Sequence, residues 1–166
     1  MMPALDRKGA EVGMSTYTAT VTWTRPAGAA FKDNKYSRAH EWRFDGGIAV
    51  PASSSPKVVP APLSKQDAVD PEEAFVAALS SCHMLFFLFY AAKAGLVVER
   101  YEDQAVGEIG KNAQGAMAML KVTLRPQIAW ADRTPSAAEL DDLHHRSHES
   151  CYIANSVRSE VVVEPR

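Results

Sequence analysis

Cys82 and Cys151 are the only two cysteines in a chain of 166 residues. Cys82 lies in the run Asp70-Pro71-Glu72-Glu73-Ala74-Phe75-Val76-Ala77-Ala78-Leu79-Ser80-Ser81-Cys82-His83, which opens with charge and then turns almost wholly apolar. A thiol reacts as its thiolate, and its ordinary pKa is near 8.5. Apolar burial raises that value, so a reactive Cys82 needs help from a positive neighbour. The helix dipole gives little, because its effect fades within the first turn and Cys82 lies about three turns in. His83, next in sequence, is one place from which charge could come.

Arg38 is the candidate cation by pattern. It alternates with Tyr36, His40, Trp42 and Phe44 on one face of an expected strand, which reads as a core-facing row. An inward guanidinium must be paired. Glu72 or Glu73 can supply the carboxylate, in a two-pronged pair that fixes the guanidinium fork. Arg43, of opposite parity, is the rival; the alternative for Arg38 is a plain surface position. Glu72 and Cys82 are ten residues apart, roughly 15 Å along a straight helix. They share a site only if the helix breaks or if the glutamate comes from a second copy of the chain. A helix apolar on all sides also wants more cover than one such chain gives. Both points predict a homodimer with composite sites.

Two other chemistries compete for the same residues. His144, His148 and Cys151 stand at i, i+4 and i+7, a spacing that suits a tetrahedral ion such as zinc, with Cys82 or His83 as a fourth ligand. Alternatively, both cysteines are small buried hydrophobes in a non-catalytic binding protein.

The elements that must position these residues follow from period and punctuation. Tyr17 to Trp23 and Tyr36 to Phe44 alternate as strands, and Asp45-Gly46-Gly47 is a turn before a third strand at Ile48–Val50. Residues 51–69, with four prolines and a serine triplet, form a long irregular connection of the kind that often serves function. Asp70 as N-cap, Pro71 in the first helical position and Glu72 and Glu73 behind it start a helix that runs to Lys93-Ala94 and stops at Gly95. Leu96–Ile109 reads as strand, residues 111–115 as turn and Met117–Arg125 as strand, with Pro126 ending its pairing. Pro135-Ser136 and Glu139 open a second helix with capping-box spacing that reaches about His148, and Val157–Val163 closes the chain as a strand. Strands, long helix, strands, helix, strand make an α+β class. Residues 1–13 read as a loose N-terminal arm and 14–166 as one domain.

Composition excludes some functions. The net charge of −2 leaves no electrostatic footprint for nucleic acid. No secretory signal is seen at the N-terminus and two cysteines make no disulfide scaffold, so a bacterial-type cytoplasm is the expected setting. Residues 74–92 carry no formal charge and approach the length of a bilayer span. Ser80, Ser81, Cys82 and His83 at their centre favour a buried helix over a membrane span.

The run from Asp70 to Cys82 resembles the N-P-E-x-x-(three to eight)-S-x-C signature of the OsmC/Ohr family, the osmotically inducible and organic hydroperoxide resistance proteins. Ser147-His148-Glu149-Ser150-Cys151 resembles that family's second motif, A-H-x-x-C-P, and Tyr36-Ser37-Arg38-Ala39-His40 its arginine-bearing strand. The resemblance covers residues 15–166. It implies an intertwined homodimer of α+β subunits with two long central helices, and a thiol peroxidase acting without a cofactor on a hydroperoxide and a dithiol reductant, a lipoyl protein or a small thiol. Under it Cys82 is the peroxidatic residue, Cys151 the resolving one, Arg38 the activating cation and Glu72 its partner. Tyr152 replaces the motif's proline, Ser147 its alanine and Asp70 the asparagine, which leaves the preferred peroxide and reductant open. Of the apolar residues near Cys82, most read as core packing; any that line its mouth would favour organic hydroperoxides over hydrogen peroxide.

Overall fold

A computed structural model describes residues 14–166; the expected N-terminal arm lies outside the described residues. Helix α1, Pro71–Lys93, carries Cys82, and its ends are set locally. The Asp70 carboxylate accepts the Glu73 N–H at 2.8 Å, and the Glu73 carboxylate accepts the Asp70 N–H at 3.3 Å. This reciprocal cap satisfies two of the amide donors that a helix N-terminus leaves orphaned. At the other end Gly95 takes φ +71, a conformation that side-chain-bearing residues resist. Helix α2, Ala137–Ser150, repeats the device with Ser136 and Glu139 and ends on Cys151 as its C-cap.

Among the described residues, eight strands pack around the helices. β1 (Ala19–Thr22), β2 (His40–Phe44) and β3 (Ala49–Ala52) form an antiparallel sheet in sequence order. β4 (Val98–Asp103) pairs with β7 (Pro126–Trp130), while β5 (Val106–Lys111), β6 (Met117–Leu124) and β8 (Glu160–Val163) form a sheet in which β6 and β8 run parallel. Two expectations are corrected here. The strand expected over Leu96–Ile109 breaks at Gln104-Ala105 into β4 and β5. Pro126 does not end pairing but opens β7, opposite Asp103. Both chains bend at the same level: the Asp103 carboxylate accepts the Arg125 N–H at 2.6 Å and the Ser80 hydroxyl at 2.5 Å, which ties the bend to α1. Proline is tolerated at the first residue of a strand, where no ladder donor is needed.

The second strand is also shorter than its alternation. It starts at His40, and residues 36–39 run ahead of it. There the Arg38 N–H donates to Leu63 O at 2.7 Å, so the extended backbone pairs with the long connection instead of with a strand. That connection is anchored: Ser53 is fully buried, and its hydroxyl accepts the Lys65 N–H at 3.0 Å.

Two apolar clusters hold α1. Leu79 packs with Val122 and Leu124 of β6, with Val161 and Val163 of β8 around them. Further along, Phe87, Ala91 and Leu96 pack with Leu143 of α2, under Tyr101, Ile128 and Trp130 of the β4–β7 sheet. Ala77, Ala78, Ser81 and Leu85 remain exposed, so one face of α1 is uncovered within a single chain. The β1–β3 sheet is open too, with every residue of β1 exposed. α1 is long and apolar enough to cross a bilayer; here it packs against α2 and the sheets instead.

Phe87 is fully buried between α2 and the β4–β7 sheet. Phe87→Ala is expected to cost about 3–5 kcal/mol, the usual range for a large ring removed from a core. Urea unfolding followed by circular dichroism measures it.

Candidate active site

The two cysteines meet where α1 crosses α2. Cys151 is buried at the C-cap of α2, and Cys82 is half-buried in the middle of α1; both are reduced. Burial first, and then a hydrogen bond with Cys82, push the Cys151 thiol up to about 11. Cys151 therefore holds its proton at neutral pH. A hydrogen bond that exists only while Cys151 is neutral penalises its ionisation. The Ala154 N–H also donates to Cys151 Sγ, at 3.4 Å, as the chain turns after α2. Tyr152 places its ring edge-on to Phe86, one turn beyond Cys82, at a centroid distance of 5.3 Å.

Beside the sulfurs lies a feature that spacing along either helix alone does not announce. His83 Nε2 and His144 Nδ1 are 3.0 Å apart, and the rings stack with 11° between their planes. The two residues are 1% and 5% exposed, too little for solvent to replace the bond. Desolvation lowers His83 to about 3, with smaller contributions from His144 and His148; desolvation likewise lowers His144 to about 4 against the opposing charge of Asp141. Both imidazoles are neutral at physiological pH. The charge expected from His83 is thus absent, because an imidazolium there would lose its hydration with no anion to replace it. His83 Nδ1 and His144 Nε2 are buried without partners. The signal in the sequence was a histidine inside an apolar run directly after Cys82, together with one seven residues before Cys151.

Arg38 lies before β2. Its guanidinium donates to Asn34 O at 3.1 Å, to Asn34 Oδ1 at 2.8 Å and to Tyr36 O, and rests on the Tyr36 ring at 3.8 Å. All of these partners are uncharged. His40 Nδ1 bonds Arg38 O at 2.8 Å, which pins the backbone of the segment. Arg43, the rival, is exposed and pairs with Glu41 at 2.6 Å. Of the two glutamates, Glu73 is occupied in the helix cap. Glu72 Oε2 is buried with no hydrogen-bond partner. Because α1 is unbroken from Pro71 to Lys93, Glu72 and Cys82 of one chain stay about 15 Å apart. A cleft of about 920 Å³ runs along α1 from Glu72 past Val76, Ser80 and Met84, facing Tyr101 and Met119. The Tyr101 hydroxyl is buried there without a partner, and burial beside Asp103 raises its pKa.

The zinc arrangement is not assembled. His144 turns toward His83, and among the described residues no group of three or more His, Cys, Asp or Glu is gathered to hold a metal.

The fold defines an α+β protein, and comparison with known proteins agrees on the fold. The family model described as OsmC-like protein matches residues 64–166. This chain belongs to that family. A solved OsmC-like protein of unknown function from Vibrio cholerae O1 biovar eltor is 56% identical, with TM-score 0.90 over 92% of this chain and 100% of that one. An organic hydroperoxide resistance protein from Elizabethkingia anophelis shares the fold at 19% identity and TM-score 0.67, over 93% and 96% of the two chains. The organic hydroperoxide resistance protein OhrB of Bacillus subtilis does so at 18% and 0.66, over 92% and 98%. No protein of curated function matches the chain.

The histidine pair makes stability depend on pH. In the unfolded chain both imidazoles take up protons below about 6.5. The fold refuses those protons until about 4 for His144 and about 3 for His83. The unfolded state therefore binds more protons throughout that window, and stability falls as pH drops through it. The thermal midpoint is expected to fall steadily between pH 7 and 5, where most carboxylates stay ionised. In His83→Phe the slope is expected to be smaller.

Proposed function

We propose that this protein is a thiol peroxidase that reduces organic hydroperoxides, with Cys82 as the peroxidatic and Cys151 as the resolving residue. The observation that carries the reading is that Cys82 and Cys151 are neighbours where α1 packs on α2, beside the Phe86–Tyr152 contact. In the first step a Cys82 thiolate attacks the distal oxygen of ROOH. The O–O bond breaks, a proton goes to the leaving alkoxide, and Cys82–SOH and ROH result. In the second step Cys151 sulfur displaces hydroxide from that sulfenate, the thiol proton completes water, and a disulfide forms before further oxidation. A dithiol, a lipoyl protein or a small thiol, then returns two electrons. No metal or organic cofactor enters this sequence. A reducing compartment such as the cytoplasm keeps both thiols ready.

The activating pair is read as Arg38 with Glu72, completed in a homodimer. Three features support the second copy: the unbroken helix between Glu72 and Cys82, the buried but unpartnered Glu72 Oε2, and the uncovered apolar face of α1. Small residues on that face, Ala77, Ala78 and Ser81, allow close approach of another helix, and the open β1–β3 sheet lacks a facing layer. Organic hydroperoxide resistance proteins occur among the structural relatives, alike in fold at low identity, and support peroxide reduction as the chemistry of the site.

Steady-state peroxide consumption with a dithiol reductant tests the mechanism. Cys82→Ser is expected to abolish turnover. Cys151→Ser is expected to leave one oxidation per chain that proceeds to sulfinic acid under excess peroxide. Unchanged turnover in Cys82→Ser would overturn the reading. Light scattering at micromolar concentration tests the assembly: the expected mass is that of two chains, reduced toward one by Leu85→Arg on the uncovered face. A wild-type mass of one chain would contradict it.

A further inference from the structure

We propose that His83 and His144 are positioning residues for disulfide closure, their imidazole–imidazole bond setting the register of α1 against α2 so that Cys151 meets Cys82 in line. The inference rests on the reading of Cys82 and Cys151 as a redox pair, and assigns a role to two side chains that the peroxidase chemistry does not itself use.

The placement is specific. His83 follows Cys82 directly on α1. His144 stands two turns before Cys151 on α2. The bond between them thus joins the two helices that carry the two sulfurs, across 61 residues of sequence, in the buried part of their contact. Around it, Phe87 packs on the His144 ring at 4.6 Å between centroids, and Ser147 is turned away to donate to Leu143 O at 2.6 Å. A second hydrogen bond between the helices, Tyr90 Oη to Ser150 Oγ at 2.7 Å, is only half-buried, where water competes for both hydroxyls.

The chemistry of the pair argues for register over packing. Each imidazole spends one ring nitrogen on the other and leaves its second nitrogen buried without a partner. Two apolar side chains of similar volume would fill the space without that desolvation penalty. What the imidazoles add is direction. Apolar surfaces tolerate rotation and sliding of one helix on another, whereas an N–H···N bond weakens steeply away from its axis. Buried polar contacts of this kind specify one arrangement among several packings of similar energy.

The demand for direction falls on one step only. Attack of Cys82 on a peroxide involves the Cys82 sulfur and the substrate, and no atom of α2 reacts. Closure requires the Cys151 sulfur to approach the Cys82 sulfur opposite its S–O bond, forming S–S as the hydroxyl leaves with the proton from Cys151. Misplacement by about 1 Å in such a reaction costs up to about 100-fold in rate.

The test separates the two steps. Wild type, His83→Phe, His83→Gln, His144→Leu and His144→Asn are mixed rapidly with one equivalent of an organic hydroperoxide. Sulfenate is captured with dimedone, and disulfide is followed by quenching and mass spectrometry. His83→Phe and His144→Leu remove the bond from opposite sides, so that either serves if the other does not fold. The Gln and Asn variants put an amide where the bonding ring nitrogen stood. The expected result is sulfenate formation at the wild-type rate in all variants. Closure is expected to be about 10- to 100-fold slower in the Phe and Leu variants, with more dimedone adduct and sulfinic acid. Closure should be largely restored in the Gln and Asn variants. Closure at the wild-type rate in His83→Phe, or equal slowing of both steps, would overturn the proposal. Closure driven by diamide, without peroxide, is measured in parallel. Slow diamide closure in the Phe and Leu variants upholds the positioning role even if peroxide leaves wild-type Cys82 unoxidised, a result that would end the peroxidase reading alone.

Discussion

The contact between two sulfur atoms at the crossing of α1 and α2 is the constraint on which the rest of the structure depends. Cys82 and Cys151 belong to helices separated by four strands and two bends of the chain. They meet only because α1 is clamped by the β6–β8 sheet over its first half and by α2 under the β4–β7 sheet over its second. The contact is asymmetric. Cys151 is buried, capped by a backbone amide and kept protonated, while Cys82 sits nearer the surface. That asymmetry sets apart two otherwise identical side chains by their burial and their access to solvent.

The buried histidines, which would be charged in water at mildly acidic pH, are held neutral chiefly by desolvation, with His144 adding to the effect on His83. The interior therefore adds no positive charge there. The cationic help that a thiolate requires must arrive from elsewhere. In one chain the guanidinium of Arg38 is engaged with Asn34 and Tyr36, while the carboxylate of Glu72 waits unpartnered at the far end of the helix. Within one chain the two groups stay apart from each other.

The parts that were legible in the sequence are those fixed within a few residues. Asp70-Pro71-Glu72-Glu73 and Ser136 with Glu139 mark helix starts through their own hydrogen bonds, and Gly95 marks a stop through its backbone freedom. The α+β class and the family resemblance followed from such local signals and from the two cysteine motifs. The illegible parts are those decided at a distance. Pro126 reads as a terminator in isolation, yet it opens β7 because β4 is waiting opposite it. Alternation over residues 36–44 describes extended backbone equally well whether it pairs with a strand or, as at Arg38, with the connecting segment. His144 and His148 share a helical face and suggest a ligand set, but His144 is claimed by a residue on another helix. Spacing along one element cannot report a partner on another.

The central claim is that the two thiols form a working redox pair within one chain. Mass spectrometry of peptides from protein treated with one equivalent of an organic hydroperoxide, digested without reductant, tests it directly. A Cys82–Cys151 disulfide within the chain is expected as the main product. Cys82 oxidised alone to sulfinic acid, with Cys151 left as free thiol, would contradict it.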